Sequence, residues 1–175
     1  MARAPGTYRL PMRSARLTLA DFVAAVGERT PAPASGSATA VAAALAAALV
    51  ELTARFSNDD EAVEEAVRLR ERLLELADED AEAYAEFMRS RSGEARDRTI
   101  DVPLELAESA FALVPLAERL AREGNPSVRG DAEAAADLAR AAVRAAARLV
   151  EHNLDNPDDP RGTRARELAA AVDRT

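Results

Sequence analysis

The 175-residue chain has no cysteine and no lysine, a single histidine, and only 3% aromatic residues. Each shortage removes chemistry. Without cysteine there is no disulfide, no thiolate nucleophile and no thiolate metal site, which suits a cytoplasmic location. All 23 basic residues are arginine, so a lysine Schiff base or lysine general base is excluded. One histidine rules out a histidine-rich metal centre, and no bound metal is expected. The net charge of -8 repels polyanions, and no arginine cluster is interleaved with aromatics, so nucleic acid is not an expected partner. No run approaches about 18 consecutive apolar residues, so no membrane partner is expected either. Residues 1–17 carry arginine and proline but no signal-type apolar core and read as a flexible tail. There is no P-loop, no dinucleotide-binding glycine pattern and no nucleophile elbow.

What is present points to helices. The 48% apolar content is mainly Ala, Leu and Val, and Ala and Leu are the strongest helix formers. Thr18 suits the N-cap of a short helix over 19–29, which ends at Thr30-Pro31 because proline disfavours helical geometry in the residue before it. The elbow Thr30 to Ser37 then feeds an alanine-rich helix over 38–56, apolar on every side for about three turns. Asn58 or Asp59 can cap a long helix to Ser90, with Val63, Val67, Leu74, Ala77, Ala81, Tyr84 and Met88 at core spacing. After Ser92-Gly93 a polar stretch leads to Val102-Pro103, which reads as the start of a helix to Glu123 kinked at Pro115. Gly124-Asn125-Pro126 stops it. A second alanine-rich rod runs to Leu154, and a Pro- and Asp-rich linker precedes a short helix over 163–172.

The expected fold is all-α: one antiparallel bundle of five to six helices with two buried alanine-rich rods. The main domain covers 18–154, and 155–175 form its linker and last helix. A bundle this small has few places to bury two rods all round, so a homodimer joined through helix faces is expected.

Few residues stand out chemically. His152 sits near a helix C-terminus, where the dipole favours an imidazolium at the surface. Ser35 and Ser37 have no evident general base, and Ser37 reads as a helix N-cap. Most acidic residues alternate with arginine and belong to solvated faces. Asp80 differs, because its helical neighbours are Leu76, Ala77, Ala83, Tyr84 and Phe87. A carboxylate on that strip reads equally as a functional group or as a partnered structural one. Asp131, after Gly130, is accounted for as an N-cap or first-turn acid.

The order of the pieces carries more than any one of them. Thr30-Pro31-Ala32-Pro33 with Gly36-Ser37, an alanine-rich rod, Asp78 to Tyr84, Val102-Pro103-Leu104, and Gly124-Asn125-Pro126 with Asp131 follow one another over 19–154. This arrangement resembles the cyclodeaminase/cyclohydrolase family of tetrahydrofolate enzymes. The resemblance implies a dimerising helical bundle that acts on a one-carbon unit bridging N5 and N10 of tetrahydrofolate, as a hydrolase or an ammonia-lyase. It implies Asp80 and Asp131 as catalytic carboxylates, and Gly36, Ser37, Ser35, Tyr84 and Asn125 as substrate-binding residues. A folate-like small molecule is then the substrate, and no cofactor is needed. Two departures are visible. The family elbow usually carries three glycines before the serine, whereas Ala34 and Ser35 hold the first two places here, and the segment 89–99 lacks the family's lysine-bearing stretch. They leave room for a diverged site that takes another amidine, iminium or enamine, or for a non-catalytic helical dimer.

Overall fold

The computed structural model describes residues 17–174, so all but Leu17 of the expected N-terminal tail lies outside the described residues. The described residues form six α-helices and one 3-10 turn: α1 Leu19–Val26, α2 Ser35–Phe56, α3 Asp60–Ser90, α4 Gly93–Glu123, the turn Pro126–Val128, α5 Arg129–Asn153 and α6 Pro160–Val172. The all-α bundle expected from composition is what forms.

Local signals set most boundaries. Thr18 caps α1 by accepting the Asp21 N–H at 3.1 Å, and Asp59 caps α3 by accepting the Ala62 N–H at 3.0 Å. Three starts differ from the sequence reading. First, α2 begins at Ser35, which makes Ser37 its third residue and not its N-cap. Its N-cap, Ala34, has no side chain that can cap, and a carboxylate from another helix serves instead. Second, α4 begins at Gly93 behind the cap Ser92, and Pro103 lies in the helix interior. A proline there supplies no N–H to the Thr99 carbonyl, and Asn153 fills that gap by donating Nδ2–H to Thr99 O at 2.7 Å. Third, α6 begins at Pro160, whose missing N–H costs nothing at a first helical position, and Asp159 caps it.

The helices pack up and down. Glu51 meets Arg70, and Ser37 meets Asp80, so α2 and α3 run antiparallel. The pair Arg72–Glu105 makes α3 and α4 antiparallel. Arg140 with Glu118, and Arg96 with the Asn153 carbonyl, do the same for α4 and α5. The most extensive contacts are α4 on α5 and α2 on α3. Helix α6 lies along α4 and α5, where Arg161 ties Asp97 and Asp101, and Arg144 meets Asp173.

Small side chains let α2 approach its neighbours closely: Ala40, Ala43, Ala46, Ala47 and Val50 are fully buried. By length and composition alone α2, with a mean hydropathy of 1.7, is apolar enough to cross a bilayer, but half of that window is buried inside the bundle. Its other side is uncovered within one chain, with Leu45, Leu52 and Phe56 exposed. Helix α1 packs lightly, burying only Phe22.

Asp59 joins the cap of α3 to Arg119 of α4, and the Ala62 N–H followed by the Arg119 guanidinium hold its carboxyl below the ordinary aspartate range. The lowered value means that this stabilisation is present above the ordinary value of 3.8 and is lost as pH falls through the native one. Asp59→Ala is expected to cost about 1–2 kcal/mol at pH 7 in urea unfolding, with the difference shrinking in acid. An equal cost at pH 7 and at strongly acidic pH would contradict this.

Candidate active site

Two helices meet at the open end of the bundle. The first turn of α2 contributes Gly36 and Ser37, both buried, and α3 contributes Asp80, about three turns before its end at Ser90. The Ser37 N–H donates to Asp80 Oδ2 at 3.0 Å, and the Ser37 hydroxyl lies 3.3 Å from the same oxygen. That hydroxyl has one proton, and its shorter bond, 2.8 Å, goes to the Ala77 carbonyl one turn before Asp80. Asp80 therefore satisfies a backbone N–H left over by the start of α2, in place of a side-chain cap from α2 itself.

Gly36 is what allows this. A Cβ at Gly36 would fall well inside 3.0 Å of Cγ, Oδ1 and Oδ2 of Asp80. The bare Cα lets the carboxylate rest on the helix backbone, where the positive end of the α2 dipole faces it. All protein hydrogen bonds to the carboxylate go to Oδ2. No buried polar side-chain atom among the described residues lacks a partner, so the unbonded Oδ1 reaches solvent. Burial raises the Asp80 pKa above the ordinary aspartate value, outweighing the opposite pull of the Ser37 N–H and hydroxyl. Oδ2 is thus held by the protein, while Oδ1, packed against the bare Cα of Gly36, accepts no hydrogen bond from it.

Among the other sequence candidates, Tyr84 is one turn beyond Asp80 on the same helix and 42% exposed, within the same end of the bundle. Ser35 is exposed, and its carbonyl accepts the Thr39 hydroxyl at 2.7 Å. Asn125 lies elsewhere. Its N–H donates to Ser57 Oγ at 2.9 Å and its Nδ2 to the Phe56 carbonyl at 3.0 Å, which fixes it to the far end of α2. From Ser37 to Phe56 a continuous helix spans about 29 Å. Asp131 follows in the first turn of α5, exposed, at that same far end. One chain thus unites Gly36, Ser37, Asp80 and Tyr84 and separates them from Asn125 and Asp131. His152 is exposed in the last turn of α5.

The sequence reading missed two polar ties. The Ala77 carbonyl, which occupies the Ser37 proton, carries no side-chain signal at all. Ser57 links the end of α2 to Asn125, and a Cβ at Gly124 would collide with the Ser57 hydroxyl and the Leu120 carbonyl. The glycine before Asn125-Pro126 was legible only as a helix stop.

No cluster of His, Cys, Asp and Glu suited to a metal occurs among the described residues. The arrangement defines a helical bundle with a half-buried carboxylate set against one helix N-terminus. The chain belongs to the formiminotransferase-cyclodeaminase family, whose sequence model matches residues 18–172. Among solved structures it is similar to the formiminotetrahydrofolate cyclodeaminase of Thermotoga maritima, at 27% identity and a TM-score of 0.82, over 91% of this chain and 90% of that one. No curated protein matches the chain.

Two variants test the site as built. Gly36→Ala should destabilise the fold by about 1–3 kcal/mol, because the new methyl must displace a carboxylate packed against backbone. Asp80→Asn should unfold at the same temperature as the parent or higher at pH 7. A raised native pKa means that stability is full below the ordinary aspartate value and declines as pH rises through the native one, so removing the charge removes that decline. A lower melting temperature for Asp80→Asn at pH 7 than at pH 3, relative to the parent, would show the opposite sign.

Proposed function

We propose that this chain is a folate one-carbon enzyme, acting either as a methenyltetrahydrofolate cyclohydrolase or as a formiminotetrahydrofolate cyclodeaminase, without cofactor and as a homodimer. The observation that carries this reading is the Asp80 carboxylate set on the bare N-terminus of α2, with Oδ2 tied to Ser37 and Oδ1 without a hydrogen bond from the protein. Family membership and the likeness to the Thermotoga maritima cyclodeaminase support the substrate class.

The chemistry follows from the charge and the proton. In the hydrolytic direction, water oxygen adds to the cationic methenyl carbon while Asp80 Oδ1 takes its proton, giving a neutral tetrahedral centre. The C–N5 bond then breaks, its electron pair stays on N5 and takes the proton held by Asp80, and the carbinol hydroxyl gives its proton to solvent as its C=O forms, leaving a formyl group on N10 with net release of one proton. In the deaminating direction, N10 attacks the carbon of the protonated formimino group and gives its proton to Asp80, which passes it to the amino nitrogen; the C–N bond then breaks with its electron pair on that nitrogen, releasing ammonia and leaving the cationic 5,10-methenyl form. Both directions pass through a cationic amidinium that an anionic carboxylate stabilises. A carboxylate with an elevated pKa is the more effective base for each proton transfer.

The departure at Ala34 and Ser35 does not oppose this reading. Ala34 has φ -134°, which any residue adopts, and Ser35 is already helical. Gly36, the glycine that the Asp80 carboxylate requires, is retained.

The test is spectroscopic. Purified protein is mixed with 5,10-methenyltetrahydrofolate and the loss of near-ultraviolet absorbance is followed against buffer, with ammonia release from 5-formiminotetrahydrofolate measured in parallel. Acceleration of either reaction is expected, and Asp80→Asn should lower it by about 10²–10⁴-fold with helicity intact. The rate should fall as pH drops through an inflection above the ordinary aspartate range. Absence of both activities would overturn the proposal.

A further inference from the structure

Asp80 stands at one end of a stripe along α3 that the reaction as written does not use. Tyr84, Phe87 and Arg91 follow it at steps of four, three and four residues, which at about 3.6 residues per turn puts all four within an arc of roughly 60°. Arg91, the C-cap, continues the last turn with its N–H on the Phe87 carbonyl at 3.0 Å. Its guanidinium lies over the Phe87 ring, 5.0 Å from the centroid, and that of Arg96 lies 5.5 Å from the same centroid. The Arg91 cation is therefore at the level of Phe87, seven residues or about 10.5 Å beyond Asp80 along the axis.

The two arginines differ in what else they hold. Arg96 donates to the Asn153 carbonyl at 3.1 Å and to Asp155. Arg91 donates to the Met88 sulfur at 3.2 Å, a weak acceptor, and among the described residues it pairs with no carboxylate. Glu86, on the preceding turn, belongs to Arg89. The backbone at Arg91 is left-handed, φ 53° and ψ 21°, where glycine is the usual residue. A glycine would suit the chain better, so what arginine adds at position 91 is its side chain.

Charge changes sign along the stripe. From Asp78 to Glu86 there are five acids and no base, and from Arg89 to Arg98 four arginines and two acids. A ligand with a cation at one end and an anion at the other is thereby oriented, cation at Asp80 and anion at Arg91. The substrates of the proposed reaction have that form: a cationic amidinium, then beyond N10 a benzoyl ring and a glutamate. With bonds of about 1.3–1.5 Å, the first glutamate carboxylate falls roughly 10 Å from N10, which matches the rise from Asp80 to the Arg91 guanidinium. Tyr84, exposed between them, is at the level of the benzoyl ring.

We propose that Arg91 is a specificity-determining residue that binds a carboxylate of the substrate's aryl-glutamate tail above Phe87, while Asp80 meets the one-carbon unit. The identity of the ligand rests on the proposed folate chemistry; the position of the anion site rests on the stripe.

The probes are 5-formyltetrahydrofolate and an analogue ending in an N-methylbenzamide, which keeps the rings and has no carboxylate. In calorimetric titration the parent should bind the first about ten-fold more tightly than the second, and Arg91→Met, which keeps an unbranched stem over Phe87, should bind both alike. Arg98→Met removes the same charge from the same segment and should keep the preference. Added salt should erode the preference of the parent. In turnover, Arg91→Met should raise KM for 5,10-methenyltetrahydrofolate about ten-fold with little change in kcat. Arg91→Gly should lose the preference yet melt at a higher temperature than the parent, because it relieves the left-handed backbone, whereas a purely structural arginine would lower both together. No preference in the parent, a preference that survives in Arg91→Met, or one lost equally in Arg98→Met overturns the assignment. If the parent turns over neither folate substrate, the functional proposal fails, while the titrations still decide the tail site.

Discussion

The contact between the Asp80 carboxylate and the bare backbone at Gly36 organises this molecule. It completes the hydrogen bonding at the start of α2, where Ala34 has no side chain to offer. It fixes the register of α2 against α3 at the open end, as Glu51 with Arg70 does toward the other. It also makes the two carboxylate oxygens unequal, with Oδ2 bonded to Ser37 and Oδ1 without a hydrogen bond from the protein. Placing a carboxylate in a half-buried position costs free energy, and the helix N-terminus offsets only part of it. The remaining imbalance is the upward displacement of its pKa. A purely structural cap would gain nothing from that displacement, since a Ser or Asn could accept the same N–H without the charge.

The alanine content of α2 follows from the same constraint. Asp80 can rest on Gly36 only if α2 and α3 lie close together. Ala40, Ala43 and Ala47 on one helix, with Ala66, Leu73 and Ala77 on the other, permit that approach. Bulky residues along the contact would separate the axes and lift the carboxylate off the backbone. Scarce aromatics are therefore a requirement of the site as well as a mark of helical composition. On its outer side α2 does not need small residues throughout, and there Leu45, Leu52 and Phe56 appear.

Sequence and structure agree where the deciding interaction is local. Thr18 and Asp59 cap helices whose starts are readable because donor and acceptor are three residues apart. Long-range substitution of a local signal is what escapes. Ser37 resembles an N-cap, yet the group that caps α2 comes from 43 positions further along the chain. Pro103 resembles a helix start, yet Asn153, 54 positions beyond Thr99, supplies the donor that makes an interior proline tolerable. Asp80 was legible as unusual because its i±3 and i±4 neighbours are apolar. That it sits on Gly36 was not, since nothing local connects a glycine in one helix with an acid in the next.

The separation of Asp80 from Asp131 was equally hidden, although both lie on segments whose order identifies the family. Order along a chain constrains topology, and an up-and-down bundle places successive turns at alternate ends. The α2 start, the α3–α4 turn and the end of α5 share one end, while the α2–α3 turn and the α4–α5 turn share the other. Motifs in the elbow before α2 and in the turn before α5 must therefore fall at opposite ends, whatever their side chains.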